Sequence, residues 1–491
     1  MAQDSSIQQL GPITTRGIHR GMVDETAVAD MFVPKTQMRR IINMDTDTIG
    51  VLTRSNGYTR LGSAEVISAN EMLGAHYHIS KVTAANTQII AFINDAADAN
   101  AEAYYLSGTT WTNKNLDFTA NIKVRAATFL DYVIAVNGTD TPKSWSGATG
   151  AAWGATLLTS APTGALIETF RQQVYIGNTS TDTVYFSSVP SGGSISWTST
   201  DNFIVNPNDG SQLTALKRFG AQLLIFKNDY LYLWNGRSTQ ADPYIPFGTP
   251  VQEAVTVCGG VCWFFDGNRR EIRGYSGGYP ELISKPVQAF LRAIPTSSLT
   301  SVVLRGDEDH VEAFIGNVTV NGVTYSSVAC RYTISSQTWT LRSYAHTFRV
   351  TAPYDDGTLR YTLGGTSTGF MFEMETGNTF HTSDIPFEVE TAWLTLAANE
   401  AYIGRLAQLA LFTTNGGSMS ASYRVDDDMT WREVASSRGV VNSWAGINAD
   451  FNRIKFRFTG TANGNDPIAL EGYSMLLPLV EGTEKETERQ V

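Results

Sequence analysis

The sequence predicts an all-β protein: a β-propeller of about six or seven degenerate blades, followed by a C-terminal antiparallel β-sandwich. Three observations predict it. The composition suits strands, with charged residues at only 17%, aromatics at 11%, and much Gly, Thr, Ser and Asn. A strand–turn–strand unit recurs at intervals of roughly 35–50 residues. From about residue 385 that unit gives way to longer strands with clear alternation.

Residues 1–60 read as an N-terminal arm with the first strands. "VDETAVADMFV" (23–33) and "KPVQAFLRAI" (285–294) are the best short helix candidates. In the second, Val287, Phe290, Leu291 and Ile294 recur at helical spacing. The propeller is assigned to 61–384. Its unit is clearest in "FLDYVIAVNGTDTPKSWSG" (129–147), "RQQVYIGNTSTDTVYFSS" (171–188), "AQLLIFKNDYLYLWNG" (221–236), "GGVCWFFDGNRREIRGYSGG" (259–278) and "GTLRYTLGGTSTGFMFEME" (357–375). Each is an apolar strand, a polar turn, and a return strand carrying Tyr, Trp or Phe. Residues 87–111 and 310–341 read as two further copies. A single blade leaves an apolar face uncovered; stacking blades around an axis covers it, and closure removes free edges. The competing arrangement is an array of separate β-sandwiches. The insert at 187–210 is too long for a blade turn and is expected to project and either meet neighbours or narrow a channel.

The C-terminal sandwich is assigned to 385–480. Arg453, Lys455 and Arg457 alternate with Ile454, Phe456 and Phe458, which gives one polar and one apolar face. The last residues, 481–491, are charged and lack large aromatics, so they read as a flexible tail.

Several stretches invite chemical readings. Gly259 and Gly260 precede a strand, whereas a phosphate loop has its glycines after a strand and opening a helix. On one continuous strand Cys258 and Cys262 would lie roughly 13 Å apart, at about 3.3 Å per residue, too far for one disulfide or one zinc. If Gly259-Gly260 breaks the strand they could approach. With Cys330, all three cysteines are expected to be buried free thiols. His76 and His78 share one face of a strand, a geometry that can ligate metal; with no third ligand visible, two polar residues on a solvated face is the expectation. "RVDDDMTWREV" (424–434) half matches a sialidase-type Asp-box, but Arg424 and Asp428 stand where Ser and Gly belong. An Asp-rich turn between two strands explains it as well. No nucleophile elbow, metalloprotease helix or dinucleotide fingerprint is found, and carboxylates are too plentiful to single out a glycosidase pair. The expectation is therefore no catalytic residue, no cofactor and no metal.

The formal net charge is −11, which argues against general duplex binding, since that needs clustered Lys and Arg. Three cysteines make no disulfide framework. The N-terminus lacks a basic region and an apolar core, so no signal peptide is read, and no apolar run is long enough to span a bilayer. A protein made in a cytoplasm, with no stable membrane insertion, is expected.

One further feature lies in the order of the segments. The run "GFMFEMETGNTFHTSDIPFEVETAWLTL" (369–396) resembles a junction in tail proteins of short-tailed bacteriophages, where a Gly-aromatic strand, an acidic-Gly turn and an Ile/Pro-bearing strand join a propeller to a C-terminal sheet. "GRLAQLALF" and "SYRVDDDMTWREV" look like the next strands. "LKRFGAQLLIFKNDYLYLWNG" and "FFDGNRREIRGYSGGYPELISKPVQAFL" resemble that family's central blades. The series covers residues 160–480 in order; the N-terminal third matches less well. The family is the tail nozzle or tail-hub proteins, also called packaged-DNA stabilisation proteins. The resemblance implies a non-enzymatic virion protein in a homo-hexameric ring at the distal end of the tail. Its implied partners are the head–tail adaptor and tail fibre or needle proteins, with viral DNA passing through without specific binding. An acidic wall would let DNA slide, and aromatics at the surface would anchor subunit contacts. The rival expectation is a glycan-binding or glycan-cleaving, sialidase-like propeller, which needs carboxylates and arginines clustered on one propeller face.

Overall fold

Seven short strands ring one axis in the computed structural model. It describes residues 12–18, 20–24, 27, 29, 33–95, 99–207, 209–236, 242–355, 360–395, 404–414, 418–438, 444–462 and 468–477. The chain divides into a propeller unit (56–334 and 343–381) and a second unit (1–55, 335–342 and 382–491).

In the propeller unit the innermost strands are Met72–His78, Arg125–Phe129, Leu166–Phe170, Leu213–Phe219, Val255–Cys258, Val303–Gly306 and Phe348–Asp355. Each touches the next, and the seventh returns to the first. The protein is therefore an all-β propeller of seven blades. Blades 3, 4, 5 and 7 are four-stranded antiparallel sheets. Blade 7 takes its outermost strand, Tyr58–Arg60, from the start of the unit, with Phe372 opposite Arg60 and Met374 opposite Tyr58. One sheet thus holds both ends of the propeller chain, and the ring cannot open without breaking that ladder.

The inner hairpins show why these residues fold this way. In blades 2, 3 and 5 the first and second strands are joined by two residues, Leu130-Asp131, Arg171-Gln172 and Gly259-Gly260, all with positive φ. That is the two-residue turn whose twist matches its flanking strands. The second strands are apolar on both sides. In "YVIAV" (132–136), Val133 and Ala135 pack with blade 1 residues such as Phe92, while Ile134 and Val136 pack with Ile167 and Val174 of blade 3. Burial of both faces yields continuous apolar runs instead of alternation. Aromatic pairs fill the wedges between blades. Trp145 and Trp153 sit 5.7 Å apart between blades 1 and 2, and Phe203 stacks on Trp234 at 4.7 Å between blades 3 and 4. Each such pair adds roughly 0.5–1.5 kcal/mol beyond its area. Most of the aromatics expected as surface anchors are thus core residues, because the wedges need large, flat fillers; Tyr279 is one that stays exposed.

The insert 187–210 differs from its expected role. Its Ile195 and Trp197 enter the core between blades 2 and 3, and Asn202–Ile204 is the fourth strand of blade 3. The segment carries its own apolar anchors, so it folds back rather than projecting. The short helix expected at 285–294 forms as Lys285–Val287 and Gln288–Arg292. The one expected at 23–33 falls largely outside the described residues, as does the tail 481–491.

The second unit is a two-sheet β-sandwich. One sheet runs Met44–Asp45, Leu52–Arg54, Ala469–Leu476, Gly404–Thr414 and Trp444–Phe451, with Ile13–Arg16 also on Ala469–Leu476. The other contains Met38–Ile42, Ile385–Thr391, Arg453–Ala462, Ser418–Val425 and Arg432–Arg438. Phe456 and Phe458 of the second sheet face Tyr473 of the first, each 5.8 Å away, so the apolar face read in 453–458 is the inner one. The division expected from the sequence therefore changes. Residues 13–54 are no separate arm but strands of the sandwich, residues 58–60 belong to the propeller, and 335–342 leave it for the sandwich unit. The reason is long-range pairing, which local patterning does not encode: Ile13 lies opposite Met475.

Candidate functional site

The propeller axis and one of its mouths hold the polar groups that the fold brings together. Near the axis, Arg125 at the head of blade 2's inner strand reaches Glu253, just before blade 5's. Nε to Oε1 is 2.8 Å and the second guanidinium nitrogen lies 2.9 Å from Oε2. Arg125 also donates to the Ala165 carbonyl, Gln252 donates to that of Ile167, and Lys123 donates to that of Arg349. Burial alone would raise the Glu253 carboxyl, but Arg125 and then Lys123 outweigh it and hold the carboxyl below its usual range. These side chains tie blade 2 to blades 3, 5 and 7, and blade 5 to blade 3, around the axis. A cavity of about 280 Å³ remains, lined by His76, Lys217 and Thr351 among others.

His76 and His78 do not lie on a solvated face. His78 is fully buried, His76 is half-buried, and both converge on Thr128 of the next blade. Nε2 of His76 is 2.8 Å and Nδ1 of His78 3.3 Å from its hydroxyl. Neighbouring blades cover both flanks of this inner strand, so His78 is shut off from water and His76 opens only toward the axial cavity. One hydroxyl proton serves at most one imidazole, so any second bond needs an imidazole N–H donor. Burial, then the neighbouring His78, pushes His76 down to about 3. Among the described residues no group of three or more His, Cys, Asp or Glu is placed to hold a metal ion.

Cys258 and Cys262 flank the Gly259-Gly260 turn, so the continuous strand assumed for the 13 Å separation does not exist. Val257 pairs Cys262 and Cys258 pairs Val261 across the hairpin. None of the three cysteines is in a disulfide; Cys262 and Cys330 are buried and Cys258 half-buried. Burial pushes both hairpin thiols up to about 12.

At the mouth where the inner hairpins turn, a cleft of about 470 Å³ is lined by Tyr77, Tyr354, Tyr361, Glu308, Asp307 and Arg360, among others. Tyr77 meets Tyr354 edge-on at 4.9 Å, and Tyr354 stacks on Tyr361 at 6.3 Å. Behind it sits a charged cluster that the sequence reading missed. Arg305 bonds Glu312 at 2.6 Å and also Glu375; Arg331 bonds Glu375 at 2.8 Å; the Tyr344 hydroxyl donates to Glu312 at 2.6 Å. A partial signal existed: Arg305 ends the apolar run "VVL" and Glu312 interrupts "V-AFI" on either side of the acidic turn 307–309, which makes them direct cross-strand partners. Arginines and carboxylates do cluster at one place in the propeller, as a glycan-cleaving reading requires. Glu312 and Glu375, however, are occupied by guanidinium groups. Burial would raise the Asp307 carboxyl, but the His310 hydrogen bond and Arg305 overcome it and hold it at about 2, so it has no proton to give near neutrality.

The half-matched Asp-box is a hairpin. It joins Ser418–Val425 to Arg432–Arg438, with Asp426 accepting the backbone N–H groups of Asn452 and Arg453, and Asp428 that of Thr430.

No family model matches the sequence, and no curated protein matches it. Among solved structures the chain is similar to YCF48 bound to a D1 peptide (12% identity, 63% of this chain and 95% of that one, TM-score 0.42). It is likewise similar to a chain of a mitotic checkpoint complex (10% identity, 76% and 97%, TM-score 0.41). The class defined by the strand ring is a seven-bladed β-propeller with an attached β-sandwich. No helix among the described residues is long and apolar enough to cross a membrane.

Proposed function

We propose that this chain is a structural subunit of the nozzle or hub at the distal end of a short bacteriophage tail. In this reading it works in a homo-hexameric ring, attaches to the head–tail adaptor, carries fibre or needle proteins, and helps close the DNA exit channel. It catalyses no reaction, and DNA passes without specific binding. The observation that carries the reading is the junction at 369–396. Its Gly-aromatic part is Met371–Met374, the third strand of the last blade, and its Ile/Pro part is Ile385–Thr391, a strand of the sandwich. That is the order the family resemblance implies. The arginine-saturated carboxylates of the Arg305 cluster also suit a scaffold. Imaging of the intact virion tests the proposal: density for this chain as a ring at the tail tip is expected, and placement in the capsid shell or in trimeric side fibres would refute it.

A second reading, glycan binding, is favoured by the tyrosine-lined cleft. Its test is titration with bacterial surface polysaccharide fragments, where binding lost on Tyr354→Ala would favour it over a purely structural role.

A further inference from the structure

A second surface, in the sandwich unit, carries an inference independent of that proposal. Trp393 and Trp431 lie over the polar face of Arg453–Ala462 and Ser418–Val425, and cations cover their rings. Arg453 is 4.8 Å from the Trp393 centroid; Arg424 and Arg457 are 5.2 and 4.5 Å from that of Trp431. Most of these cations have carboxylates. Arg453 pairs with Asp427, Arg432 with Asp428, and Lys455 with Glu390, which also takes Arg40. Arg424 and Arg457 have none among the described residues. Arg424 donates to the Asp428 carbonyl and to the Met429 sulfur, a weak acceptor. Arg457 faces Glu390 across the ladder, but that carboxylate is already taken, and the buried Nε of Arg457 has no partner.

We propose that this face binds the carboxylates of an acidic polypeptide segment in extended conformation, with Arg424 and Arg457 as the two anchoring groups. A guanidinium over an indole keeps its N–H donors in its own plane; with Nε of Arg424 given to the Asp428 carbonyl and Nε of Arg457 buried, the terminal nitrogens of each fork are the edge where a carboxylate binds. Ser422 stands opposite Arg457 and Arg424 opposite Lys455, so the two arginines are diagonal neighbours on one face. Diagonal positions lie about 7–8 Å apart, and alternate side chains of an extended chain about 6.6 Å, so a Glu-x-Glu stretch meets both. Cations already sit over both rings and compete with nucleic-acid bases for the indole faces, which favours carboxylates over single-stranded nucleic acid.

The test uses the full chain and a fluorescent peptide of alternating Glu and Thr, followed by anisotropy. Saturable binding is expected, weakened about tenfold or more by Arg424→Gln with Arg457→Gln. Arg457→Lys keeps the charge but loses the planar fork, so it should also weaken binding; Arg405→Gln, outside this face, should not. If the double variant misfolds, the single Arg457→Gln and Arg457→Lys variants decide. No peptide binding by the unaltered chain, equal binding by every arginine variant, or capture of oligothymidylate that the peptide does not displace would each overturn the proposal.

Discussion

The phenol of Tyr58 lies 2.7 Å from Nδ1 of His346, which joins the N-terminal closing strand to the segment entering blade 7. Around that bond the Tyr58 ring contacts Phe372 at 4.6 Å, Phe380 at 5.2 Å, Phe348 at 5.5 Å and Tyr344 at 5.9 Å. The closing strand is only three residues long and its ladder is short. Side-chain packing, more than backbone pairing, must hold the ring shut. Tyr58→Phe should cost about 0.5–1.5 kcal/mol, the net worth of one hydrogen bond. Tyr58→Ala should cost about 3–5 kcal/mol, the range for truncating a buried aromatic. Denaturant unfolding of the two variants checks the ratio; equal effects would mean that the ring packing contributes little.

Stability should fall with acid in two windows. His76 has a folded pKa of about 3, below its unfolded value of about 6.5. The unfolded chain therefore binds the extra proton first. The contribution is fully present above the unfolded value and is lost as pH falls toward the folded one. Asp307, held at about 2 in the fold against about 3.9 unfolded, acts in the same direction but only below about pH 4. Unfolding midpoints should drop between pH 6.5 and 4 in the wild type, and His76→Gln should flatten that slope by about one proton. An unchanged slope would show that His76 is solvated.

The thiols should be inert in the folded protein. Cys258 and Cys262 are pushed up to about 12 by burial, so their reactive thiolate is scarce at neutral pH. A thiol reagent should titrate three groups in denaturant and react slowly without it, and reductant should not move the Tm. Stoichiometric zinc lost on Cys262→Ser would contradict the hairpin geometry.

How much of this was legible depended on whether the cause was local. The Asn137-Gly138 turn could be read because Asn137 itself caps it, accepting from the N–H groups of Thr139 and Asp140. The strand "VCWFF" could be read because both its faces are buried and the run is unbroken. The blade partners could not, because Val133 and Ile134 pack on different blades and nothing in their own sequence says which. The axial pair Arg125–Glu253 is separated by 128 residues, and the Ile13–Arg16 strand finds its partner more than 450 residues away. Local periodicity marks strands and faces; it does not name the element across the gap.

Truncation at the N-terminus should separate the two modules sharply. A chain beginning at residue 56 loses the sandwich strands Ile13–Arg16, Met38–Ile42, Met44–Asp45 and Leu52–Arg54 but keeps Tyr58–Arg60. A chain beginning at residue 61 loses those and the closing strand as well. The five residues between the two start points carry the pairing of Thr59 with Glu373 and of Tyr58 with Met374, and all the ring contacts of Tyr58. Without them Met371–Met374 becomes a bare edge, and the aromatic cluster of blade 7 opens to water. Hydrogen exchange read blade by blade is the suitable measurement. In the longer chain the amides of blades 1 to 7 should stay protected while those of Ala469–Leu476 lose protection, since that strand has lost its partner Ile13–Arg16. In the shorter chain protection should fall first in blade 7 and then in its ring neighbours, blades 6 and 1. Equal protection of blade 7 in both chains would show that the ring holds without its closing strand.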